Sequence, residues 1–131
     1  MQPCPEPRNL VLQNYEKEAS GEILEVVGRY SQQEGVTVIG TDPDEWFEGY
    51  EAIYQFYAPA NGSRLDVKVE VLKAYSQGNV GWTIDRVKVK FPNGVELPIR
   101  HSRIFEKEEG GWKIVHNHIS VAVPNEQILS Q

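Results

Sequence analysis

His101 and Arg103 are the side chains whose types and spacing most directly suggest chemistry. They share strand parity with Ile99 and Phe105, so all four side chains are expected to face one way. Two of the four are large and apolar, which makes that face the expected interior. An arginine turned inward needs a carboxylate of the protein or an anionic ligand. A structural ion pair with Asp42 or a helix glutamate and a bound anion therefore both stay open.

Asp42 is the second candidate, in the turn formed by residues 40–43. An aspartate at such a place often caps the turn through its own backbone. A carboxylate at the mouth of an apolar pocket can instead have a raised pKa and act as a general base. Trp46 follows closely and is expected at the pocket mouth. Tyr57 belongs to a set of aromatic residues that either line a ligand pocket or fill the core.

His116 and His118 form a His-x-His pair on one face of the last predicted strand. Such a pair can bind zinc or iron when a third ligand converges, but the sequence offers no obvious third ligand. The opposite face is the more apolar one and carries Asn117 as its single polar member. Its apolar members are Val115, Ile119, Val121 and Val123. We therefore expect both histidines on the outer face of a sheet, and no metal site.

The first half of the chain reads as helix, helix, strand, helix. Apolar spacing predicts a helix from residue 9 and a second one over residues 20–32, with Ser20 as its N-cap. A short strand over residues 36–39 precedes a third helix, which begins near Gly49 and is stopped by Pro59. The proline-rich residues 1–8 are expected to form a flexible tail.

The second half reads as four long strands joined by short turns. Within residues 80–91, Trp82 and Ile84 are apolar at even positions, whereas Val87 and Val89 are apolar at odd ones. That change of phase predicts a β-bulge inside the strand. We expect an antiparallel meander, bent by bulges, with the helices packed on its concave face. The fold class is α+β, in one domain over residues 1–131.

Composition excludes several classes of protein. The 131 residues carry a formal net charge of -6 and no Lys/Arg cluster, which argues against nucleic acid as a partner. Cys4 is the single cysteine, so an internal disulfide is impossible. No signal peptide, membrane span, phosphate loop or dinucleotide fingerprint is present. We expect a cytoplasmic protein that uses no cofactor and does not bind a membrane.

Two segments resemble a known superfamily. Residues 39–57, IGTDPDEWFEGYEAIYQFY, resemble the strand, turn and helix of SnoaL-like proteins and ketosteroid isomerases. Residues 100–120, RHSRIFEKEEGGWKIVHNHIS, resemble the end of the association domain of calcium/calmodulin-dependent kinases. The resemblance implies a nuclear transport factor 2-like, cystatin-like cone, in which a bent antiparallel sheet packs on N-terminal helices.

The isomerase resemblance implies roles for individual residues. Asp42 matches the base of the isomerases, and His101 matches the acid that donates a hydrogen bond to the developing oxyanion. Tyr15 lies in the region of the second oxyanion donor. Arg103 matches an arginine in the pocket of the kinase association domain.

We expect a protein that binds a small molecule in a pocket. If it is an enzyme, the expected activity is that of an isomerase, cyclase or hydratase without a cofactor. Asp42 and His101 would be catalytic. The residues expected to bind the carbonyl or carboxylate ligand are Trp46, Tyr57, Arg103 and Asn117. The alternative is a non-catalytic module for ligand binding or oligomerisation, and whether the chain is an enzyme stays open. In both cases we expect a homodimer formed through the outer face of the sheet.

Overall fold

The computed structural model describes residues 1–129 and contains the predicted succession of helices followed by strands. The helices are α1 (Pro5–Ala19), α2 (Ile23–Val27), α3 (Tyr50–Tyr57) and α4 (Asn125–Leu129). The strands are β1 (Gln2–Pro3), β2 (Thr37–Ile39), β3 (Trp46–Glu48), β4 (Asp66–Gln77), β5 (Val80–Lys90), β6 (Glu96–Glu108) and β7 (Gly111–Val121). A short 3₁₀ helix, Ala58–Ala60, continues α3. In the described part of the chain, no helix is long and apolar enough to cross a membrane.

The strands of residues 1–129 form one bent, open sheet in the order β1-β4-β5-β6-β7-β2-β3. The four long strands pair antiparallel in sequence, which confirms the predicted meander and the α+β class. β2 adds to the other side of β7 in parallel, and β3 closes that side with an antiparallel pairing. The sequence analysis missed the three-residue strand β3.

The bulges lie in other strands than predicted. The pairing of β4 with β5 shifts between Val69 and Val71, and that of β6 with β7 shifts at Ile104, where it skips Val115. Strand β5 pairs with β6 without a shift, so the predicted bulge within residues 80–91 is wrong. Its odd positions face inward along the whole strand, and Trp82 and Ile84 face outward. The error arose because the inner face of β5 is polar where it begins.

The helical half starts earlier and breaks sooner than predicted. Where a flexible tail was expected, Gln2–Pro3 pairs with β4 and α1 begins at Pro5. Ser20 is the C-cap of α1 and not the N-cap of α2, since its N–H donates to the Glu16 carbonyl. α2 has only five residues because the chain beyond it is tied to the sheet, where the Ser31 N–H donates to the Ile114 carbonyl at 2.8 Å.

The hydrophobic core lies between α1 and the concave inner face of the sheet. Helix α1 contributes Leu10, Val11 and Tyr15 to this core. The strands contribute Val38, Leu72, Val87, Val89, Ile99, Phe105, Trp112 and Ile114, and α3 contributes Ile53. This packing leaves a space between the helices and the inner face of the sheet, and that space holds the candidate site.

Candidate functional site

A cavity of about 230 Å³ lies between the helices and the inner face of the sheet. Its apolar walls are Val26, Phe56, Leu65, Val67, Val89, Phe91, Ile99, Ile114 and Ile119. Its polar lining consists of Asn14, Tyr15, Glu18, Tyr30, Thr41, Glu45, Tyr57, His101, Arg103 and Asn117. An apolar space with a few converging polar groups is the usual form of a site for a small molecule.

Asp85 is the centre of a hydrogen-bonded cluster at the wall of this cavity. Its Oδ2 accepts from Arg103 Nη1 at 2.8 Å and from the Tyr15 hydroxyl, and its Oδ1 contacts His101 Nδ1 at 2.7 Å. Arg103 Nη2 donates to the Tyr15 hydroxyl at 3.0 Å, which closes the ring of contacts. Asp85 and Arg103 are buried, and each charge has its counter-charge as direct neighbour, as burial of an ion pair requires.

The charge states of the cluster follow from its surroundings. Burial alone would raise the pKa of Asp85, but the His101 hydrogen bond and the Arg103 charge bring it to about 2. Burial and the Arg103 charge lower the pKa of His101, although Asp85 opposes them. Asp85 is therefore a carboxylate at neutral pH, and His101 is a neutral imidazole.

The carboxylate also fixes the tautomer of His101. An ionised carboxylate only accepts hydrogen bonds, so the hydrogen of the neutral imidazole is on Nδ1 and points to Asp85. The other ring nitrogen, Nε2, then keeps its lone pair and can accept a proton. When an imidazole takes up a proton in this way, a carboxylate behind it stabilises the resulting cation. The pair can thus act as an oriented general base.

Glu18 is a second ionisable group of the cavity lining, one helical turn after Tyr15. Burial raises the pKa of Glu18 to about 7, and the Asp85 charge adds to this, while Arg103 opposes it. Two tyrosines lie nearby with ring centroids 6.1 Å apart, and burial raises the pKa of both Tyr30 and Tyr57. Their phenols are therefore neutral hydrogen-bond donors at physiological pH.

Four of the predicted site residues line the cavity: Tyr57, His101, Arg103 and Asn117. Asn117 is buried, and its Nδ2 donates to the Tyr30 hydroxyl at 2.9 Å. Arg103 has an internal carboxylate as its partner, but this is Asp85 on the neighbouring strand and neither Asp42 nor a helix glutamate.

The structure does not bring Asp42 and Trp46 into the cavity lining. The Asp42 side chain is exposed, and its Oδ1 accepts from the Asp44 N–H at 3.0 Å, which is the turn-capping arrangement. The neighbouring residues Thr41 and Glu45 do line the cavity. Trp46 is 64% exposed on β3.

The sequence analysis missed Asp85 and Glu18 as site residues. For Asp85 a signal was present, since it shares strand parity with the buried Val87 and Val89. For Glu18 no such signal exists, since nothing in its sequence neighbourhood distinguishes it from the exposed Glu16.

His116 and His118 lie on the outer face of the sheet, as predicted. Their ring centroids are 6.4 Å apart, and His116 Nδ1 contacts Thr37 Oγ1 at 2.6 Å. Over residues 1–129, no three His, Cys, Asp or Glu side chains converge in a group that could hold a metal ion.

Many solved structures share this fold, and the three described next are distant from this chain in sequence. A nuclear transport factor 2-like protein of unknown function from Pseudomonas putida KT2440 has a TM-score of 0.80 at 14% identity, over 94% of this chain and 89% of that one. A candidate dehydratase of the same family from Streptomyces avermitilis has a TM-score of 0.80 at 12% identity, over 92% and 96%. A candidate calcium/calmodulin dependent protein kinase II association domain from Xanthomonas campestris has a TM-score of 0.72 at 16% identity, over 89% and 86%.

At these identities the structural likeness shows the fold alone. No curated protein matches the sequence. A family model, that of the SnoaL-like domain, matches residues 8–124. This match spans most of the sequence and agrees with the fold of the solved structures. The chain therefore belongs to the SnoaL-like domain family.

Proposed function

We propose that the cavity binds a small carbonyl compound and that His101 removes a proton from the carbon next to the carbonyl. The reaction is of the isomerase or dehydratase class and uses no cofactor. One observation carries this proposal: the cavity-lining His101 makes a contact of 2.7 Å through its Nδ1 with the buried Asp85 carboxylate. A base held in one tautomer by a carboxylate is the arrangement that proton abstraction needs.

The other polar groups divide into those that hold the base and those that hold the substrate. Arg103 keeps Asp85 ionised, and Tyr15 donates the third hydrogen bond to that carboxylate. Removal of the proton places negative charge on the carbonyl oxygen, which then needs hydrogen-bond donors. The phenols of Tyr30 and Tyr57 in the cavity lining hydrogen-bond to each other, and we assign the O–H that this pair leaves over as a donor to this oxygen.

The size of the cavity limits the substrate. A volume of about 230 Å³ corresponds to roughly eight water molecules at about 30 Å³ each. This is less than the space that drug-sized ligands occupy. A carboxylate ligand is less favoured than a neutral carbonyl compound, since Arg103, the cationic group of the lining, is already paired with Asp85. The dehydratase description of the Streptomyces avermitilis protein agrees with the proposed reaction class.

Hydrogen–deuterium exchange next to the carbonyl group tests the proposal. We expect the protein to catalyse exchange in small ketones in D₂O, followed by proton NMR, and His101→Gln to reduce the rate by about 10²- to 10⁴-fold. Asp42→Asn is the decisive comparison, because the resemblance assigns the base to Asp42. If Asp42→Asn abolishes exchange and His101→Gln does not, the base is Asp42 and our assignment fails.

A second candidate function is assembly, and it is compatible with the first. We propose that the chain forms a homodimer through the outer face of the sheet. Ile84 and Ile104 are 46% and 43% exposed there, and Trp82 lies directly across from Ile104. Contiguous exposed apolar groups of this kind commonly mark an interface. Light scattering would give twice the mass of the chain, whereas a monomer at all concentrations would refute the proposal.

A further inference from the structure

Glu18 is a half-buried acidic residue for which the function proposed above has no use. It lines the cavity, and its Oε2 is buried without a hydrogen-bond partner among the described residues. Asn14 lies four residues earlier on the same face of α1. Its Oδ1 is also buried without a hydrogen-bond partner among the described residues. A carboxylate only accepts hydrogen bonds, whereas a protonated Glu18 carries an O–H that can donate one to an acceptor in the cavity.

The charged and titratable groups around Glu18 favour the protonated form. Burial raises its pKa to about 7, the negative charge of Asp85 on β5 acts in the same direction, and Arg103 on β6 opposes both. Tyr30 and Tyr57 line the same cavity as Glu18, and both phenols are neutral. In the resting site at neutral pH, a large share of the molecules thus carries a proton on Glu18.

The position of Glu18 relative to the base allows a paired reaction. Tyr15 contacts His101 Nδ1 at 3.2 Å, and Glu18 follows Tyr15 by three residues, roughly 4.5 Å along the helix axis. Glu18 and His101 line the same cavity of about 230 Å³, so one small molecule there can contact both side chains.

We propose that Glu18 is the general acid of this site and that the substrate is a β-hydroxy carbonyl compound, whose hydroxyl leaves as water with the proton of Glu18. This inference rests on the proposed function of His101 as the base. The substrate hydroxyl is the acceptor of the Glu18 O–H.

The reaction is balanced without any further reagent. The C–H bond next to the carbonyl breaks, its proton goes to His101 Nε2, and its electron pair becomes the new C=C bond. The C–O bond breaks, and the leaving oxygen takes its electron pair and the Glu18 proton, which makes water. The site then holds an imidazolium and a carboxylate. Transfer of one proton from His101 to Glu18, directly or through the released water, restores the starting state.

The first experiment measures the protonation of Glu18 without any substrate. Protein labelled with ¹³C at the glutamate carboxyls is titrated by NMR, and the signal absent from Glu18→Gln is assigned to Glu18. We expect a midpoint near pH 7, far above those of the other glutamates. A midpoint in the ordinary carboxyl range would overturn the inference, whether or not the site is catalytic.

The second experiment separates the acid from the base. The substrates are 4-hydroxybutan-2-one and 3-hydroxycyclohexanone, followed by the enone product, and the comparison compounds are butan-2-one and cyclohexanone, followed by deuterium exchange. We expect Glu18→Gln to slow dehydration by about 10²- to 10⁴-fold, a much larger factor than that by which it slows exchange. His101→Gln should slow both reactions. Glu16→Gln, an exposed acid on the same helix, is the matched control and should change neither.

The outcomes distinguish the two proposals. Normal dehydration by Glu18→Gln, or equal loss of both reactions in a variant with the circular dichroism spectrum of the wild type, would overturn the role of Glu18 alone. Absence of exchange and dehydration in the wild type with all four compounds would overturn the function proposed for His101, and with it the role of Glu18 as the acid.

Discussion

In the paired region of β5 and β6, the inner face of the sheet is polar and the outer face is apolar, which is the reverse of the usual arrangement. A half-buried sheet normally places apolar side chains inside and polar ones outside. Here the inner face of the paired region carries Thr83, Asp85, His101 and Arg103, all within the folded interior. The outer face of the same region carries Trp82, Ile84, Ser102 and Ile104, with both isoleucines exposed. The strands are thus most polar where they are most buried.

This inversion has a different explanation on each face. The inner charges are tolerable because Asp85 accepts from three donors and Arg103 has two acceptors, so little of their lost hydration goes uncompensated. These charged side chains place hydrogen-bonding groups where apolar side chains would otherwise fill the interior. The outer apolar groups have no such compensation in the monomer. Our proposals therefore assign a ligand to the inner face and a second copy of the chain to the outer face.

Removal of Asp85 should give the largest effect, because it leaves a buried cation without its counter-charge. We expect Asp85→Ala to lower the free energy of unfolding by about 3–5 kcal/mol, measured by urea unfolding. The control is Glu70→Ala, which breaks the exposed pair of Glu70 with Arg86 at 3.7 Å and should cost less than about 1 kcal/mol. Equal effects of the two variants would mean that the inner charges are as well hydrated as the outer ones.

Glu18→Gln should stabilise the protein at high pH and nowhere else. The folded protein holds the Glu18 proton to about pH 7, whereas the unfolded chain releases it near pH 4.5. The stability that this proton gives is complete below pH 4.5 and is lost as the pH rises to 7. The variant cannot ionise, so at pH 8 it should exceed the wild type by roughly 3 kcal/mol. A difference that does not change between pH 4 and pH 8 would contradict the buried acid.

Asp85 should show the opposite dependence at low pH. Its pKa of about 2 in the folded state lies below the ordinary value of 3.8. Its contribution is therefore present above pH 4 and disappears as the pH falls to 2, by roughly 2 kcal/mol. Unfolding of the wild type and of Asp85→Asn, compared at pH 4.5 and pH 2, should show the difference between the two proteins shrinking by that amount. A constant difference would mean that the carboxylate is not held by its partners.

The order of elements could be predicted from the sequence, since it depends on local signals. Alternation in the long strands, the glycine before α3 and Pro59 after it all act over a few residues. The extent of α2 could not be predicted, because it depends on the distant Ile114, whose carbonyl holds Ser31. The start of α1 was misread because prolines suggest a loose tail, although they are tolerated in the first turn of a helix.

The site could be predicted only where one strand carried enough apolar neighbours to fix its phase. His101 and Arg103 were placed inward by Ile99 and Phe105. Asp85 was not, because outward Trp82 and Ile84 suggested the wrong phase for the start of β5. Glu18 is buried by tertiary packing against the cavity, which helical spacing alone does not reveal. Asp42 attracted attention through a resemblance in its turn, while its side chain in the structure caps that turn.

A charge on the outer face should give the smallest effect on the fold and the clearest one on assembly. Ile104 is 43% exposed and lies between Trp82 and His116 on the neighbouring strands. In the monomer, Ile104→Lys removes little buried surface. The free energy of unfolding at high dilution should therefore change by less than about 1 kcal/mol. In a dimer the lysine would be buried without a partner, and light scattering should report half the mass. Glu109→Gln, which makes the same charge change in the exposed β6–β7 turn, should leave the mass as it is. If Ile104→Lys keeps the dimer, the interface lies elsewhere, and the exposed isoleucines of the outer face need another explanation.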